Sequence, residues 1–258
     1  MPAPRLLIDE SLQAGAEIAL DEGQSRHIGA VLRLKPGEDV RVFNARDGEW
    51  RATVGEIGKR GARVRVQSHL RAPLPPRDLD LLFAPVKRHA TDLIVEKATE
   101  LGARRLRPVI TQRTIAETVR LDRLNAIARE AAEQTERFEA PEIAEPISLA
   151  RILDGWEAAR PMIYADESGD DAEAAWGGAE GRAAPLLRVL QNLPAVVPEA
   201  KLALLVGPEG GFTPEERRLL RSLAFVTPVS LGPRILRAET AVIAALSVIQ
   251  AAWGDWAS

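Results

Sequence analysis

A glycine-rich bend with a carboxylate follows an apolar run in the last quarter of the sequence. Residues 202–206 are all apolar, as in a strand buried on both faces of a parallel sheet, and residues 207–211 read Gly-Pro-Glu-Gly-Gly. Thr213 then fits a helix N-cap, Pro214 fits the first helical position, and Glu216 completes a capping box. A strand, a glycine bend and a capped helix in this order are typical of ligand sites beyond the carboxyl ends of strands in open α/β sheets.

The composition of this bend favours some ligands over others. It lacks the Lys-Ser/Thr pair of a P-loop, and its glycines do not have the G-x-G-x-x-G spacing of dinucleotide sites. Glu209 would repel a pyrophosphate but would tolerate a cation or a ligand rich in hydroxyl and amino groups. Taken alone, residues 207–211 fit a tight turn that needs glycine as well as they fit a ligand site.

A second bend of the same kind lies a short distance along the chain. Residues 225–231 form another apolar run that ends at Gly232-Pro233, and a long apolar helix begins near Arg237. Two strands that end in glycine-containing bends so close together in sequence can line one pocket.

The two bends together closely resemble the SPOUT methyltransferases, specifically the RsmE family. The resemblance is carried by LLVGPEGGFTPEE and LGPRILRAETA, and it extends to VEKATELG from Val95, AEQTER from Ala132 and HIGAVLRLKPGE from His27. Pro108 and Arg113 also match, so the resemblance covers most of the chain. That family methylates N3 of a uridine in 16S ribosomal RNA with S-adenosylmethionine.

The resemblance implies that S-adenosylmethionine lies on the main chain of the two bends. The implied cofactor-binding residues are Val206, Gly207, Pro208, Glu209, Gly210, Gly211, Leu231, Gly232, Ile235, Leu236 and Arg237. An in-line displacement by N3 needs loss of the N3 proton and a cation to stabilise the anionic uracil. Arg237 is the first candidate for that cation and Arg137 the second, and Glu209 or Glu239 could accept the proton or orient the amino group of the cofactor. Arg237 and Glu239 also fit a capping or interface role at a helix start.

The region before the first proline cluster is basic although the whole chain carries a net charge of −3. Residues 26–71 contain eleven Lys and Arg against five Asp and Glu. Residues 40–43, 50–54 and 62–66 have strand patterns, and residues 25–32 a short helix pattern. The pattern alone also fits a small β domain with a solvated, arginine-rich surface. The resemblance implies a PUA-like RNA-binding β-barrel, with phosphate contacts from Arg26, His27, Arg33 and Lys35 and further basic surface from Lys87 and Arg88.

Proline-rich residues 72–76 mark the predicted domain boundary. The predicted domains are an RNA-binding barrel over residues 1–72 and a methyltransferase domain over residues 73–258. Strands alternate with helices beyond the boundary, which predicts an α/β fold with a parallel sheet. The predicted strands are residues 79–85, 106–110 and 162–165, and the predicted helices are residues 91–101, 120–136 and 185–193.

The last predicted helix, residues 237–253, is apolar on nearly every side and must therefore be buried in its own domain or against a partner. The resemblance implies that both hold, because SPOUT enzymes are homodimers that pack through this region. It also implies a C-terminal trefoil knot, which hydrophobic periodicity alone would not indicate.

Composition excludes several other classes of protein. There is no cysteine, hence no disulfide or thiolate nucleophile, and His27, His69 and His89 lack metal-ligand spacing, so we expect no metal. Neither a signal core nor a membrane span is indicated, which predicts a cytoplasmic protein without membrane partners. Residues 166–182 are acidic and aperiodic, which predicts a mobile loop of unassigned role.

Three alternative functions remain open on the sequence. The chain could be another SPOUT methyltransferase, acting on a ribose 2′-oxygen or on a tRNA base. It could be a non-catalytic RNA-binding or ribosome-assembly protein that has kept the fold. Without the resemblance, it could be a two-domain α/β protein that binds some other nucleotide.

Overall fold

The computed structural model describes residues 3–58, 61–115, 118–167, 183–193 and 200–257. Contacts divide the chain into two compact units. The first comprises Met1–Pro75 and Ala132–Glu139, and the second comprises Pro76–Ala131 and Ala140–Ser258. Residues 132–139 therefore belong with the N-terminal unit although they lie far from it in sequence.

The first unit contains a five-stranded sheet in the order β1-β3-β4-β5-β2. All neighbouring strands are antiparallel except β1 and β3, which are parallel. The predicted strands are confirmed and extend beyond their predicted limits. The strands are β1 (Arg5–Leu7), β2 (Glu17–Ala19), β3 (Asp39–Asn44), β4 (Gly48–Gly58) and β5 (Gly61–Arg71).

Helix α1 (Glu22–Arg26) begins three residues before the predicted start, because Asp21 caps it. The Asp21 carboxylate accepts a hydrogen bond from the backbone N–H of Gln24 at 2.7 Å, and the Gln24 side chain accepts one from the backbone N–H of Asp21. A π-helical turn, His27–Val31, continues from α1. The helix prediction for residues 25–32 was thus right in type and displaced in position.

Alternation along β5 explains the core of the first unit. Val64 and Val66 are buried, whereas Arg63 and Arg65 between and beside them are exposed. The inward face packs with buried residues of β3 and β4 such as Val42 and Val54.

Glu49 on β4 is the centre of a buried ion-pair cluster in the first unit. It is 1% exposed and pairs with Arg5 at 2.7 Å and with Arg71. Burial opposes ionisation of this carboxyl group, but the hydrogen bonds from the two arginines outweigh it and lower the pKa of Glu49. Arg5 also donates to the carbonyl oxygens of Ala132, Glu133 and Arg137, so it anchors residues 132–139 to this unit.

The second unit is a parallel α/β sheet, as predicted. Its strand order is β12-β10-β11-β6-β7-β8, every pairing is parallel, and β9 pairs with β7 beside this path. The strands are β6 (Asp78–Phe83), β7 (Arg105–Ile110), β8 (Glu142–Ile143), β9 (Ile147–Ser148), β10 (Met162–Ala165), β11 (Lys201–Val206) and β12 (Val226–Val229).

Six helices accompany this sheet within the described residues. They are α2 (Arg88–Glu100), α3 (Leu121–Gln134), α4 (Leu149–Asp154), α5 (Leu186–Gln191), α6 (Pro214–Ser222) and α7 (Ala238–Ala252). Four agree with the predicted limits to within a few residues, α6 begins at the predicted residue, and α4 was not predicted. A short 3₁₀ turn, Asp255–Ala257, follows α7.

The sheet of the second unit is covered on both faces. Leu81 and Leu204 point into a core that includes α2, α5 and α7, while Leu82 and Leu205 point into another that includes α4 and α6. Successive strand residues point to opposite faces, which gives the three-layer arrangement of an α/β domain.

Helix α7 has two different apolar faces. One is buried in the core and includes Val242, Leu246 and Ile249. The other is partly or fully exposed, uncharged and continuous at helical spacing: Thr240, Ile243, Ala244, Ser247, Val248 and Ala251. No described helix is both long and apolar enough to cross a membrane.

One prediction cannot be compared with the structure. The mobile loop predicted for residues 166–182 falls mostly on residues 168–182, which lie outside the described residues.

Candidate active site

The first bend joins β11 to α6. An added Cβ on Gly207 would lie 2.5 Å from the ring of Phe212, which is 4% exposed, so only glycine fits without a rearrangement. Gly211 has a φ of +66°, in the left-handed region that favours glycine. The glycines of this bend are therefore required by a close approach and by backbone conformation.

The predicted capping box after this bend is confirmed, and its glutamate also accepts a hydrogen bond from outside α6. Thr213 accepts a hydrogen bond from the backbone N–H of Glu216, and the Glu216 carboxylate accepts one from that of Thr213 at 2.9 Å. The other oxygen of Glu216 accepts the N–H of Gln112 at 2.8 Å. Arg113 donates to the carbonyl oxygen of Gly210 at 2.8 Å, so the loop after β7 is tied to the bend at two points.

The second bend joins β12 to α7. Gly232 has a φ of +111°, and its N–H donates to the hydroxyl oxygen of Ser230 at 3.2 Å. Arg237 is the N-cap residue of α7 but makes no side-chain capping hydrogen bond.

The two bends line one recess at the carboxyl ends of β10, β11 and β12. Its wall is formed by Ala165, Asp166, Glu167, Val206, Gly207, Pro208, Glu209, Val229, Ser230, Leu231, Gly232, Arg234, Ile235, Leu236, Ala238 and Ala241. Apolar side chains alternate with main chain and with three carboxylates. Such a recess suits a ligand with a flat apolar part and a cationic part.

Two family models match the chain. An RNA methyltransferase domain matches residues 73–250, and an RNA methyltransferase PUA domain matches residues 20–67. A protein of Rickettsia conorii named ribosomal RNA small subunit methyltransferase E is 33% identical over 95% of this chain and 94% of its own length. A protein of the same name from Synechocystis is 32% identical over 96% of this chain and 78% of its own length.

Solved structures agree with these matches. Ribosomal RNA small subunit methyltransferase E from Neisseria gonorrhoeae, bound to S-adenosylmethionine, superposes with a TM-score of 0.83 at 27% identity, over 98% of this chain and 99% of that one. A putative methyltransferase from Legionella pneumophila, also in complex with S-adenosylmethionine, gives a TM-score of 0.82 at 30% identity, over 99% and 100% of the two chains. The chain belongs to the RsmE family of RNA methyltransferases.

Eight of the cofactor-binding residues predicted for this RsmE family member line the recess. They are Val206, Gly207, Pro208, Glu209, Leu231, Gly232, Ile235 and Leu236. Gly210, Gly211 and Arg237 lie in or next to the same bends but are not part of the wall. The role of all eleven residues in cofactor binding stays a prediction.

The sequence analysis missed a third wall of the recess, which follows β10. Asp166 is 1% exposed and forms ion pairs with Arg217 at 3.2 Å and Arg221 at 2.6 Å on α6. The available signal was the predicted strand at residues 162–165, which ends directly before Asp166. In a parallel sheet its carboxyl end must lie at the same edge as the two bends.

Tyr164 lies on β10 just before this acidic wall. It is completely buried and packs edge-on against Phe212, with ring centroids 5.1 Å apart. Burial, followed by the neighbouring carboxylates of Asp166 and Glu167, raises the pKa of Tyr164. The phenol therefore stays neutral and acts as packing for the first bend.

The predicted catalytic residues occupy different places. Glu209 is exposed on the wall of the recess, and Arg237 is exposed at the start of α7. Glu239, in the first turn of α7, is half-buried, and its Oε2 atom is buried without a hydrogen bond from any described residue. Arg137 lies in the first unit, where its carbonyl oxygen accepts from Arg5 at 3.1 Å.

The predicted RNA-contacting residues are all exposed. Arg26, His27, Arg33 and Lys35 lie in or just after α1 and the π-helical turn of the first unit, and Lys87 and Arg88 lie at the start of α2 in the second. Arg63 and Arg65 on β5 are two further exposed cations that the prediction did not single out. Among the described residues, no three His, Asp or Glu side chains form a group able to hold a metal ion.

Proposed function

We propose that this protein transfers a methyl group from S-adenosylmethionine to N3 of an unpaired uridine in 16S ribosomal RNA. The observation that carries the proposal is the acidic, glycine-lined recess at the carboxyl edge of the sheet, in a chain of the RsmE family. The solved relatives with bound S-adenosylmethionine support the choice of cofactor.

The recess fits this cofactor. Leu231, Leu236 and Ala241 offer an apolar slot for an adenine ring, and the main chain of the bends can reach the ribose and the amino acid part. Glu167 and Glu209 suit the positive charge of the sulfonium and ammonium groups, whereas they would repel a phosphate. S-adenosylmethionine supplies, when bound, a methyl group on a positively charged sulfur.

We assign the remaining requirements of the reaction to the predicted catalytic side chains. Glu209 or Glu239 accepts the N3 proton of the uracil. Arg237, or Arg137 as the second candidate, stabilises the negative charge that then spreads onto the uracil oxygens. Holding N3 in line with the methyl group replaces a bimolecular encounter by a fixed geometry, which accounts for a large part of the rate increase.

RNA recognition is assigned to the exposed cations. We propose that residues 1–72 form an RNA-binding barrel and that residues 73–258 form the methyltransferase domain. Phosphate contacts would come from Arg26, His27, Arg33, Lys35, Lys87 and Arg88. Because N3 lies on the Watson–Crick edge, the target uridine has to be unpaired or turned out of its helix before it can react.

A trefoil knot is supported by the pairing around Ser230. The backbone N–H of Asp166 donates to the carbonyl oxygen of Val229 on one side, while the N–H of Ser230 donates to the carbonyl oxygen of Ala184 on the other. The segment that contains Val229 and Ser230 is thus paired on both sides by parts of the chain that precede it. We propose that the C-terminal segment is threaded through a loop of this preceding chain.

A homodimer is supported by the second apolar face of α7. Ile243 and Val248 lie on a continuous uncharged stripe that is only partly buried, although Val248 also packs against the core. An exposed apolar stripe of this kind fits an interface between two copies of the chain. We propose a cytoplasmic homodimer as the working form.

The test is methylation of 16S ribosomal RNA, both as purified RNA and within small ribosomal subunits, followed by mass spectrometry of the digested nucleosides. We expect N3-methyluridine at a single position, and none with the Gly207→Ala variant. Methylation of a ribose or of another base would contradict the proposal, as would the absence of product from both substrates.

A further inference from the structure

We infer that the target uracil binds in a second recess beside the cofactor site, where Arg113 and Lys87 stabilise the uracil anion and Glu209 takes its proton. This inference rests on the function proposed above and assigns the acceptor side of the same site. Arg113 and Lys87 thereby replace Arg237 as the leading cations of the reaction.

The second recess shares a wall with the cofactor recess. It is lined by Pro85, Val86, Lys87, Arg113, Ile115, Pro208 and Glu209. Pro208 and Glu209 line both recesses, so the two recesses adjoin at this dipeptide. A methyl acceptor and a methyl donor must lie side by side, which two adjoining recesses allow.

The walls of the second recess suit a planar base. Pro85, Val86 and Ile115 offer apolar contacts, and Ile115 is 75% exposed in the absence of a ligand. A base seated there would cover the Ile115 side chain. Lys87 and Arg113 add the donors that the two uracil carbonyl oxygens require.

The hydrogen bonding of Arg113 and the exposure of Lys87 favour a role for both cations in binding the uracil oxygens. Arg113 donates one hydrogen bond to the carbonyl oxygen of Gly210 at 2.8 Å, which holds the guanidinium against the bend and leaves its other N–H groups for a ligand. Lys87 is exposed and has no ion-pair partner among the described residues. By comparison, Arg120 and Arg123 close by are paired with Asp122 and Asp92.

The reaction balances within this arrangement. The N3–H bond of the uracil breaks and its proton moves to the Glu209 carboxylate. The N3 electron pair forms the new bond to the methyl carbon as the carbon–sulfur bond breaks, and those electrons remain on the sulfur as a neutral thioether. Glu209 is exposed and can release the proton to water.

The neighbouring nucleotides have a path out of this recess. Pro85, Val86, Lys87 and Ile115 also line a larger cavity of about 490 Å³. Arg88 lies on its wall and has no ion-pair partner among the described residues, so it is placed to meet a flanking phosphate.

The experiment compares Arg113→Gln with wild type on two RNAs, one with uridine and one with 5-fluorouridine, whose N3–H is more acidic. If Arg113 stabilises the anion, kcat on uridine falls by about 100-fold, and the loss is much smaller on 5-fluorouridine or at higher pH. The dissociation constant of S-adenosylmethionine should change by less than about 3-fold. Arg218→Gln, on an exposed arginine of α6, is the matched control and should behave as wild type on both RNAs.

Other outcomes distinguish failure of this inference from failure of the proposed function. An equal loss on both RNAs, or a parallel loss of cofactor affinity, would mean that Arg113 only supports the bend, and would overturn the inference. Lys87→Gln should show the same dependence on the nucleobase, and it removes no side-chain capping bond from the start of α2. If wild type makes no N3-methyluridine, the proposed function itself fails.

Discussion

The two ends of the parallel sheet differ in how far their charged side chains are paired. At the amino ends of the strands, the carboxylates of Asp78 and Asp80 are closely paired with arginines, Asp78 with Arg160 at 2.9 Å and Asp80 with Arg105 at 2.7 Å. Asp80 is completely buried. At the carboxyl ends, several charged side chains have no ion-pair partner among the described residues: Lys87, Arg88, Glu209, Arg234 and Arg237.

We interpret this difference as a contrast between a structural end and the end for which ligand binding is proposed. Paired and buried charges lock neighbouring strands together, and removing one partner leaves the others buried without compensation. Charges without partners do not stabilise the fold and remain available to a ligand. Asp166 is the exception at the carboxyl end, because its two arginines make it part of the support beneath the recess.

The largest effect on stability is expected at the amino end. Asp80→Ala would leave Arg105, Arg107 and Arg160 facing a buried position without a negative charge. We expect the free energy of unfolding to fall by about 3–5 kcal/mol, measured by urea denaturation. Arg104→Ala is the control, because that arginine is half-exposed and 3.8 Å from Asp78. A loss below about 1 kcal/mol for Asp80→Ala would contradict the claim that the paired charges at the amino ends of the strands stabilise the fold.

A smaller effect is expected at the first bend. In Gly207→Ala the new methyl group meets the ring of Phe212, and overpacking of this kind costs about 1–3 kcal/mol. Gly155→Ala is the control, because φ is −95° there and the nearest atom to an added Cβ is 3.8 Å away. Equal unfolding midpoints for the two variants would show that the close approach of Phe212 to Gly207 does not affect stability.

The next smaller loss of stability is expected at the start of α6, the helix that follows the first bend. Thr213→Ala removes the N-cap of α6, and we expect a loss of about 1 kcal/mol in the free energy of unfolding. Thr213→Ser retains the capping hydroxyl and should recover most of the stability. If the two variants lose the same amount, the cap does not hold the helix start.

The smallest effect is a change of stability with pH. Burial opposes ionisation of Asp78, but the hydrogen bond and charge of Arg160 outweigh it, so the pKa of Asp78 lies below its usual 3.8. The stabilisation from Asp78 is therefore complete above that usual value and is lost as the pH falls through the lowered pKa. We expect the difference between wild type and Asp78→Asn in urea midpoint to shrink only in strongly acidic solution. A difference that already shrinks near pH 6 would contradict this.

Local signals in the sequence predicted much of the second unit. Residues 162–165 were predicted as a strand with the observed limits, and Thr213 with Glu216 marked the start of α6 because a capping box is formed within four residues. The two bends were recognisable from their glycines: Gly207 is required by the close approach of Phe212, and Gly211 and Gly232 are favoured by their positive φ.

Contacts between distant parts of the chain were not predictable from such signals. The hydrogen bond from Arg113 to Gly210 joins residues 97 positions apart, and the pairing of Arg5 with residues 132–139 spans even more of the chain. Short elements such as α4 and β8 were missed because six and two residues are too few for a periodic pattern. Such contacts depend on the tertiary fold, which is why the ion pairs of Asp166 with α6 and the hydrogen bond of Arg113 to Gly210 were not predicted.

Calorimetric titration with S-adenosylmethionine tests the central claim most directly, namely that the carboxyl-end recess is the cofactor site. Wild type and Gly155→Ala should bind with the same affinity, whereas Gly207→Ala should bind at least about 10-fold more weakly while it remains folded. Absence of binding to wild type, or equal binding to Gly207→Ala, would contradict the account.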